Sequence, residues 1–334
     1  MNLDPGRLYP LRFAPIYQET DWHGSLLSAL RHGPEAGRLP PKCGVSWELV
    51  DSPEVSSQVA DGPLAGKTLT ELVAEFPRSL VGIRQRPGMS FPIYLRLLDV
   101  GQDLPLLVHA DEALCRGVSG LHTNTKFWYC LEAREQAEMM VGIGRRVTTM
   151  QLLENLNSHQ LRDHLQTFAA CPGDSYLIPA GRVHSASASA LVWELGQYPA
   201  SALRLSGWTE AEAPDPVTRE LAVKAVHFED RQVSRICREM GVAAHTRKIP
   251  LMNHCPFFVI EEIRLVDHWF DRTDGASFHL LDVIAGSVEL QTDHGNDRLE
   301  AGSVRLIPAG YGGYRCVAVD GPAALLRARL QSLK

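Results

Sequence analysis

The chain carries 13 histidines and seven cysteines, the side chains best suited to hold a metal or attack a substrate, yet few of them are spaced for either. His184 closes the pattern Gly-Asp-x-x-x-x-Pro-Ala-Gly-x-x-His over residues 173–184. An imidazole presented by a tight Pro-Ala-Gly loop after an apolar run is placed to face a pocket. His109 alternates with Leu107 and precedes Ala110, which fits either a metal ligand or an ordinary interior histidine of a β structure. The other histidines have no ligand-like partner spacing. The cysteines (Cys43, Cys115, Cys130, Cys171, Cys237, Cys255 and Cys316) include no Cys-x-x-Cys pair. An odd set without that spacing reads as reduced, mostly buried thiols of a cytoplasmic protein. Trp22, Trp47, Trp128 and Trp193 lie in apolar runs and read as core aromatics.

These side chains must be held by strands. Short runs rich in Val, Ile, Leu and aromatics recur at 91–100, 127–133, 175–180 and 190–198, and again at 257–266, 278–292, 303–310 and 323–330. Strands of this length between Gly, Pro, Asp and Asn predict a mainly β protein. Helical spacing is confined to three stretches. In 66–76, Leu69, Leu72, Val73 and Phe76 share a face and Thr68 with Glu71 resembles a capping box. Residues 148–168 predict two short helical turns, and 217–240 a charged helix that includes a connector. The two halves echo each other: GDSYLIPAGRVHSA at 173–186 has a counterpart in GSVRLIPAGYGGYR at 302–315. Repetition of one hairpin plan predicts a duplicated small barrel. The second copy has Tyr311 and Gly312 near the place where the first has its loop histidine, so a structural role and no metal are expected there.

With 334 residues, 45% hydrophobic and 22% charged, the chain is long enough for two packed domains. The net charge of −6 offers nothing global to nucleic acid or an anionic membrane. The first 15 residues contain no apolar core of a secretory signal, and no apolar run approaches the roughly 18 residues of a membrane helix. An anionic ligand would need a local basic pocket.

The 173–184 pattern resembles the cupin motif, whose closing histidine is a metal ligand. Around it, FPIYLRLLDV followed by LPLLVHADEA (91–113) resembles the F-P-x-x-x-K-L-L-D-A and Q-V-H-P-D segments of the class I mannose-6-phosphate isomerases. TNTKFWY (123–129) stands where that family has G-K-T-E-x-W-Y, and ALVWELGQYPASALRLSGW (190–208) resembles L-E-x-Q-Q…T-Y-R-x-Y-D-W. RFAPIYQETDWHG (12–24), SWELVD (46–51) and GPLAGKTLTELV (62–73) extend the resemblance through the first two-thirds of the chain. It implies two cupin (jelly-roll-like) barrels with a small helical insert and a helical linker. The expected division is an N-terminal barrel with the active site over 1–210, a linker over 211–245 and a structural C-terminal barrel over 246–334.

In that family, metal is held by the Gln and His of Q-V-H, the Glu of K-T-E and the His after Pro-Ala-Gly. Here the histidines remain as His109 and His184, while Leu107 and Lys126 stand at the other two positions. Leucine has no lone pair and an ammonium does not ligate a cation, so a zinc site keeps two of its four ligands. Asp111, Glu112 and His122 are nearby candidates for rebuilding it, with His122 and Lys126 on one face if the segment is a strand. Arg204 matches the arginine of T-Y-R, which the resemblance links to proton transfer; it can also be a salt-bridge partner of Glu194. Lys126 is either a cation standing in for the metal or a solvated rim residue. Arg96 replaces the lysine of K-L-L-D-A, and Glu194 and Gln197 match L-E-x-Q-Q. The implied substrate contacts are Arg96 and Glu194, and the implied catalytic groups are Arg204 and Lys126. Gly207 replaces the Asp of Y-D-W and Ala110 the Pro of Q-V-H-P. Two readings follow: an isomerase interconverting an aldose and a ketose phosphate through a cis-enediol, or an inactive relative binding a sugar or sugar phosphate in a metal-free pocket.

Overall fold

A computed structural model describes residues 8–31, 33–83, 85–233, 235–237 and 244–331, with the side chains of 33–35 left aside. The chain forms two compact units that exchange segments. One comprises Tyr17–Trp47 and Ile93–Arg238, the other Met1–Ile16, Glu48–Pro92 and Glu239–Lys334. The expected break near residue 210 therefore does not coincide with this division, because two early segments join the second unit.

The first unit is built on two antiparallel sheets. One has the order Ile16–Glu19, Cys43–Leu49, Ile93–Val100, Ala190–Gln197, Lys126–Ala133, Ser175–Ile178 and Arg235–Ile236. The other runs Leu203–Ser206, Leu106–Val108, His184–Ala186, Glu138–Ile143 and Leu165–Ala169. Leu98, Trp128, Ile178 and Val192 from the first sheet pack with Met139 and Val141 from the second in one core. A second core, with Leu106, Val108, Met140, Leu203 and Leu205, holds the helix Pro216–Ala225 through Ala222 and Ala225.

Register decides what faces inward. Glu194 is paired with Arg96 on one neighbouring strand and with Trp128 on the other. Strand periodicity of two then puts Arg96, Leu98, Lys126, Trp128, Val192 and Glu194 on one face of the sheet. The opposite face of the same strands carries Leu95, Leu97, Phe127, Trp193 and Leu195, all buried. Burial on both sides is why these segments read as continuous apolar runs.

The second unit contains one sheet in the order Arg247–Met252, Phe258–Leu265, Gly313–Leu330, His279–Thr292 and Gly295–Glu300. His268–Arg272 pairs with Gly313–Leu330 and Val304–Ile307 with His279–Thr292. Its core gathers Ile263, Val283, Leu290, Ile307, Tyr314 and Leu325. The mainly β, two-cupin fold expected from the sequence is the fold observed.

The helical expectations hold in part. The helix Leu69–Glu75 starts at Thr68, whose hydroxyl accepts from the Glu71 amide while the Glu71 carboxylate accepts from the Thr68 amide. Thr149–Glu154 and the 3₁₀ turn His159–His164 are the two expected turns, but Leu165–Ala169 is a strand paired with Glu138–Ile143. Tertiary pairing overrides local helical spacing there. The charged helix ends at Ala225, where His227 N donates to Gly181 O instead of continuing the helical ladder. The expected extension to residue 240 is non-helical as far as it is described, and 238–240 lie outside the described residues. His122 lies in the loop before the strand Lys126–Ala133 and is exposed, so it shares no strand face with Lys126. Among the described residues no helix is long and apolar enough to cross a membrane.

Removing the Thr68 hydroxyl deletes one half of the capping box. Thr68→Ala is expected to lower stability by about 1 kcal/mol in urea unfolding, with the fold unchanged by circular dichroism.

Candidate functional site

A cavity of about 260 Å³ opens in the first unit, lined by Arg96, Leu107, Lys126, Trp128, His184 and Glu194 among others. Glu194 lines it and is fully buried. One carboxylate oxygen accepts from the Tyr94 hydroxyl at 2.9 Å and from Arg96 Nε at 2.7 Å. The other accepts from Lys126 Nζ at 2.9 Å and from Trp128 Nε1 at 2.6 Å. Asn124 donates to the Tyr94 hydroxyl at 3.1 Å and so holds the first of these donors in place. Arg96 lies over the Trp47 ring at 4.8 Å, and Lys126 Nζ is 5.1 Å from the centre of the Trp128 ring. Burial alone would raise the Glu194 pKa, but the charges of Arg96 and Lys126 and the bond from Trp128 hold it well below the usual carboxylate range. Burial pulls Lys126 below its ordinary value, opposed by Glu194. The Glu194 carboxylate 2.9 Å away favours the charged form of the amine. One carboxylate between two cations leaves the cavity with a net positive charge.

The two histidines come together beside this cluster. Their rings stack with centroids 5.1 Å apart and planes 15° from parallel. The Pro-Ala-Gly loop sets this geometry. Gly181 has φ +84°, its amide donates to His109 O at 2.8 Å, and a Cβ there would lie 2.2 Å from the His227 ring. Only glycine satisfies both demands. His109 Nδ1 meets Ser201 O at 2.7 Å and His184 Nδ1 meets Arg182 O at 3.0 Å. A carbonyl only accepts, so each Nδ1 carries the proton and each Nε2 presents a bare lone pair. Both Nε2 atoms are buried without a hydrogen-bond partner. Burial and the nearby Lys126 charge lower the His109 pKa to about 3 and push His184 well below its ordinary value. Both rings are neutral at physiological pH.

The sequence-derived candidates are thus only partly assembled. Arg96, Lys126, Glu194 and His184 line the cavity, and His109 stacks behind His184. Lys126 is 2% exposed, which overturns its reading as a rim residue, because its position two residues before Trp128 turns it inward. Arg204 sits in register with Leu107 and is half-buried, with its Nε lacking a partner. The ion partners of Glu194 are Arg96 and Lys126 rather than Arg204. The candidate replacement ligands do not converge. Asp111 caps the turn Glu112–Gly117 and pairs with His227 at 2.9 Å. Among the described residues no group of three or more His, Cys, Asp or Glu side chains could hold a metal. A catalytic zinc needs about three protein ligands. The imidazole pair supplies two, Leu107 none, and the Lys126 position a positive charge. The residues present do not fit a zinc ion. Tyr94, Asn124 and Trp128 were missed as site residues, although Tyr94 and Trp128 are each two positions from a candidate and so share its strand face.

A mainly β chain whose Pro-Ala-Gly loop delivers a histidine to a cavity, with a like loop in the second unit that lacks it, has a cupin-like fold. The comparisons narrow this further. No family model matches the chain. It is 32% identical over 189 residues to the Bacillus subtilis protein YvyI, a candidate mannose-6-phosphate isomerase, covering 56% of this chain and 58% of that one. It is 28% identical over 220 residues to the mannose-6-phosphate isomerase ManA of the same organism, covering 64% and 66%. The match thus spans less than two-thirds of these curated relatives. In three dimensions the chain is similar to the mannose 6-phosphate isomerase of Bacillus subtilis, with a TM-score of 0.79 at 25% identity over 96% of this chain and 99% of that one. An Archaeoglobus fulgidus structure, a candidate mannosephosphate isomerase, superposes with a TM-score of 0.74 at 17% identity over 96% and 97% and supports the fold. The resemblance to the class I mannose-6-phosphate isomerases holds in sequence and in fold.

Two outcomes test this electrostatic arrangement. Glu194→Gln leaves Lys126 buried without a counter-ion and is expected to cost about 3–5 kcal/mol in urea unfolding. The neutral imidazoles add a pH dependence. Their folded pKa values lie below the ordinary 6.5, so as pH falls the unfolded chain binds protons first and stability drops. The loss begins near pH 6.5 and, for His109, levels off near pH 3. It approaches about 1.4 kcal/mol per pH unit per imidazole. His109→Gln is expected to flatten the slope of stability against pH across that window.

Proposed function

We propose that this chain is an aldose–ketose isomerase acting on a hexose 6-phosphate, interconverting mannose 6-phosphate and fructose 6-phosphate through a cis-enediol. The observation that carries the reading is the convergence of Arg96, Lys126 and Glu194 on one cavity of a fold shared with isomerases. The reaction moves a proton between C2 and C1 and places negative charge on the oxygens of an enediolate, so it requires fixed positive charge beside them. Lys126 is the cation directed into the cavity for that task. Arg96 is one-quarter exposed and paired with Glu194; it contacts the phosphate or a sugar hydroxyl, with Glu194 accepting from the sugar as well as orienting both cations. The bare Nε2 of His184 faces the substrate as an acceptor, with His109 stacked behind it. Arg204 is assigned to charge stabilisation during proton transfer, following the resemblance. Zinc at His109 and His184 would have two protein donors, and no step is assigned to it. The second barrel is assigned a structural role. The seven cysteines stand as free thiols, which suits a reducing compartment such as the cytoplasm.

The test is a coupled assay on the purified protein with mannose 6-phosphate and, in the reverse direction, fructose 6-phosphate. Turnover is expected. Arg96→Ala should raise KM about 10-fold, and Arg204→Ala should lower kcat by about 100-fold at similar KM. Binding of these sugars, read as a raised melting temperature, without turnover by the wild-type protein would replace the enzyme with a binding protein.

A further inference from the structure

The mismatch between this cavity and a zinc ion extends beyond the missing ligands. Lys126 Nζ carries three N–H groups and Glu194 accepts from one of them. No other acceptor among the described residues is bonded to Nζ, so two N–H groups remain for a ligand. Beside them, His184, which also lines the cavity, presents a buried Nε2 lone pair that likewise has no partner, and His109 stacks behind it. The cavity therefore combines unused donors on a fixed cation with an unused neutral acceptor, in a space that Trp128 and Leu107 help to line. That combination is complementary to two adjacent oxygens of an open-chain sugar, one bearing a hydrogen and one bearing negative charge. It opposes a divalent ion, which would meet the ammonium at close range in a low-dielectric site.

We infer that this cavity works without a divalent metal and that the Lys126 ammonium, held by Glu194 beside the His109–His184 pair, is its electrophile. The inference rests on the isomerase reading for its catalytic meaning. The His184 Nε2 lone pair takes the C2 proton as charge gathers on O1, to which the ammonium donates. The O2 hydroxyl then passes its proton to O1, so that the charge moves to O2 beside the same ammonium. The imidazolium returns its proton to C1, the O2 charge collapses into the ketose carbonyl at C2, and Lys126 and His184 end unchanged. Leu107 and Lys126 are then the two residues that keep metal out. Restoring an amide and a carboxylate at their positions would complete a four-ligand set with the two histidines.

The decisive measurement is zinc stoichiometry by elemental analysis after equilibrium dialysis against zinc chloride, without a His tag. The wild-type protein and the double variant Leu107→Gln/Lys126→Glu are compared. Less than about a tenth of an equivalent in the wild type and near one equivalent in the double variant are expected. Near-stoichiometric zinc in the wild type, or none in either protein, would overturn the inference. Where the double variant does not fold, the wild type carries the test alone. Its zinc content must stay low and its turnover of mannose 6-phosphate must be unchanged by EDTA. Lys126→Met, checked for an unchanged fold by circular dichroism, is expected to lower kcat at least about 100-fold with little change in KM; full turnover by it overturns the electrophile assignment. If no hexose 6-phosphate is turned over by any form, the isomerase reading fails. The zinc comparison still decides whether Lys126 occupies the place of a cation.

Discussion

A carboxylate without solvent access must find its hydrogen bonds inside the protein, and Glu194 finds four donors on its two neighbouring strands. Tyr94 and Arg96 come from one neighbour and Lys126 and Trp128 from the other. The antiparallel register makes this possible, because residues directly opposite Glu194 are Arg96 and Trp128. The cluster is a structural staple that also lines the cavity. An apolar replacement of the whole group is conceivable for stability alone, since buried ion networks gain little over well-packed hydrocarbon. A net positive cluster open to a cavity is better explained by a ligand that needs it.

The surrounding architecture buries most of this cluster. Two sheets enclose the core on one side, and the helix Pro216–Ala225 closes the outer face of the smaller sheet. The Pro-Ala-Gly loop ties His109 and His184 together through one backbone bond and one glycine that tolerates no side chain. The tautomers of both rings are set by backbone carbonyls rather than by carboxylates. Each lone pair is therefore aimed by the fold and left without a protein partner.

Set beside the isomerase structures it resembles, the chain keeps the fold. A metal ion accepts lone pairs from its protein ligands, whereas an ammonium offers N–H bonds and needs a counter-ion. The structure supplies that counter-ion in Glu194. The same carboxylate that orients Arg96 also offsets part of the cost of burying Lys126.

The sequence by itself determined the strands, the capping box at Thr68, the duplicated hairpin plan and the loop that presents His184. Each depends on local chemistry: alternation of side chains, a hydroxyl three residues before a carboxylate, or a glycine in a turn. It also brought Arg96, Lys126, Glu194 and the two histidines under suspicion, through a resemblance in short segments. Only tertiary structure decided that Lys126 points inward, that its partner is Glu194 rather than solvent, and that Arg204 does not reach that carboxylate. It likewise turned residues 165–169 from helix into strand and separated Asp111 and His122 from the histidine pair. Those outcomes rest on register between strands far apart in the chain, and a shift of one residue would have reversed every one of the faces involved.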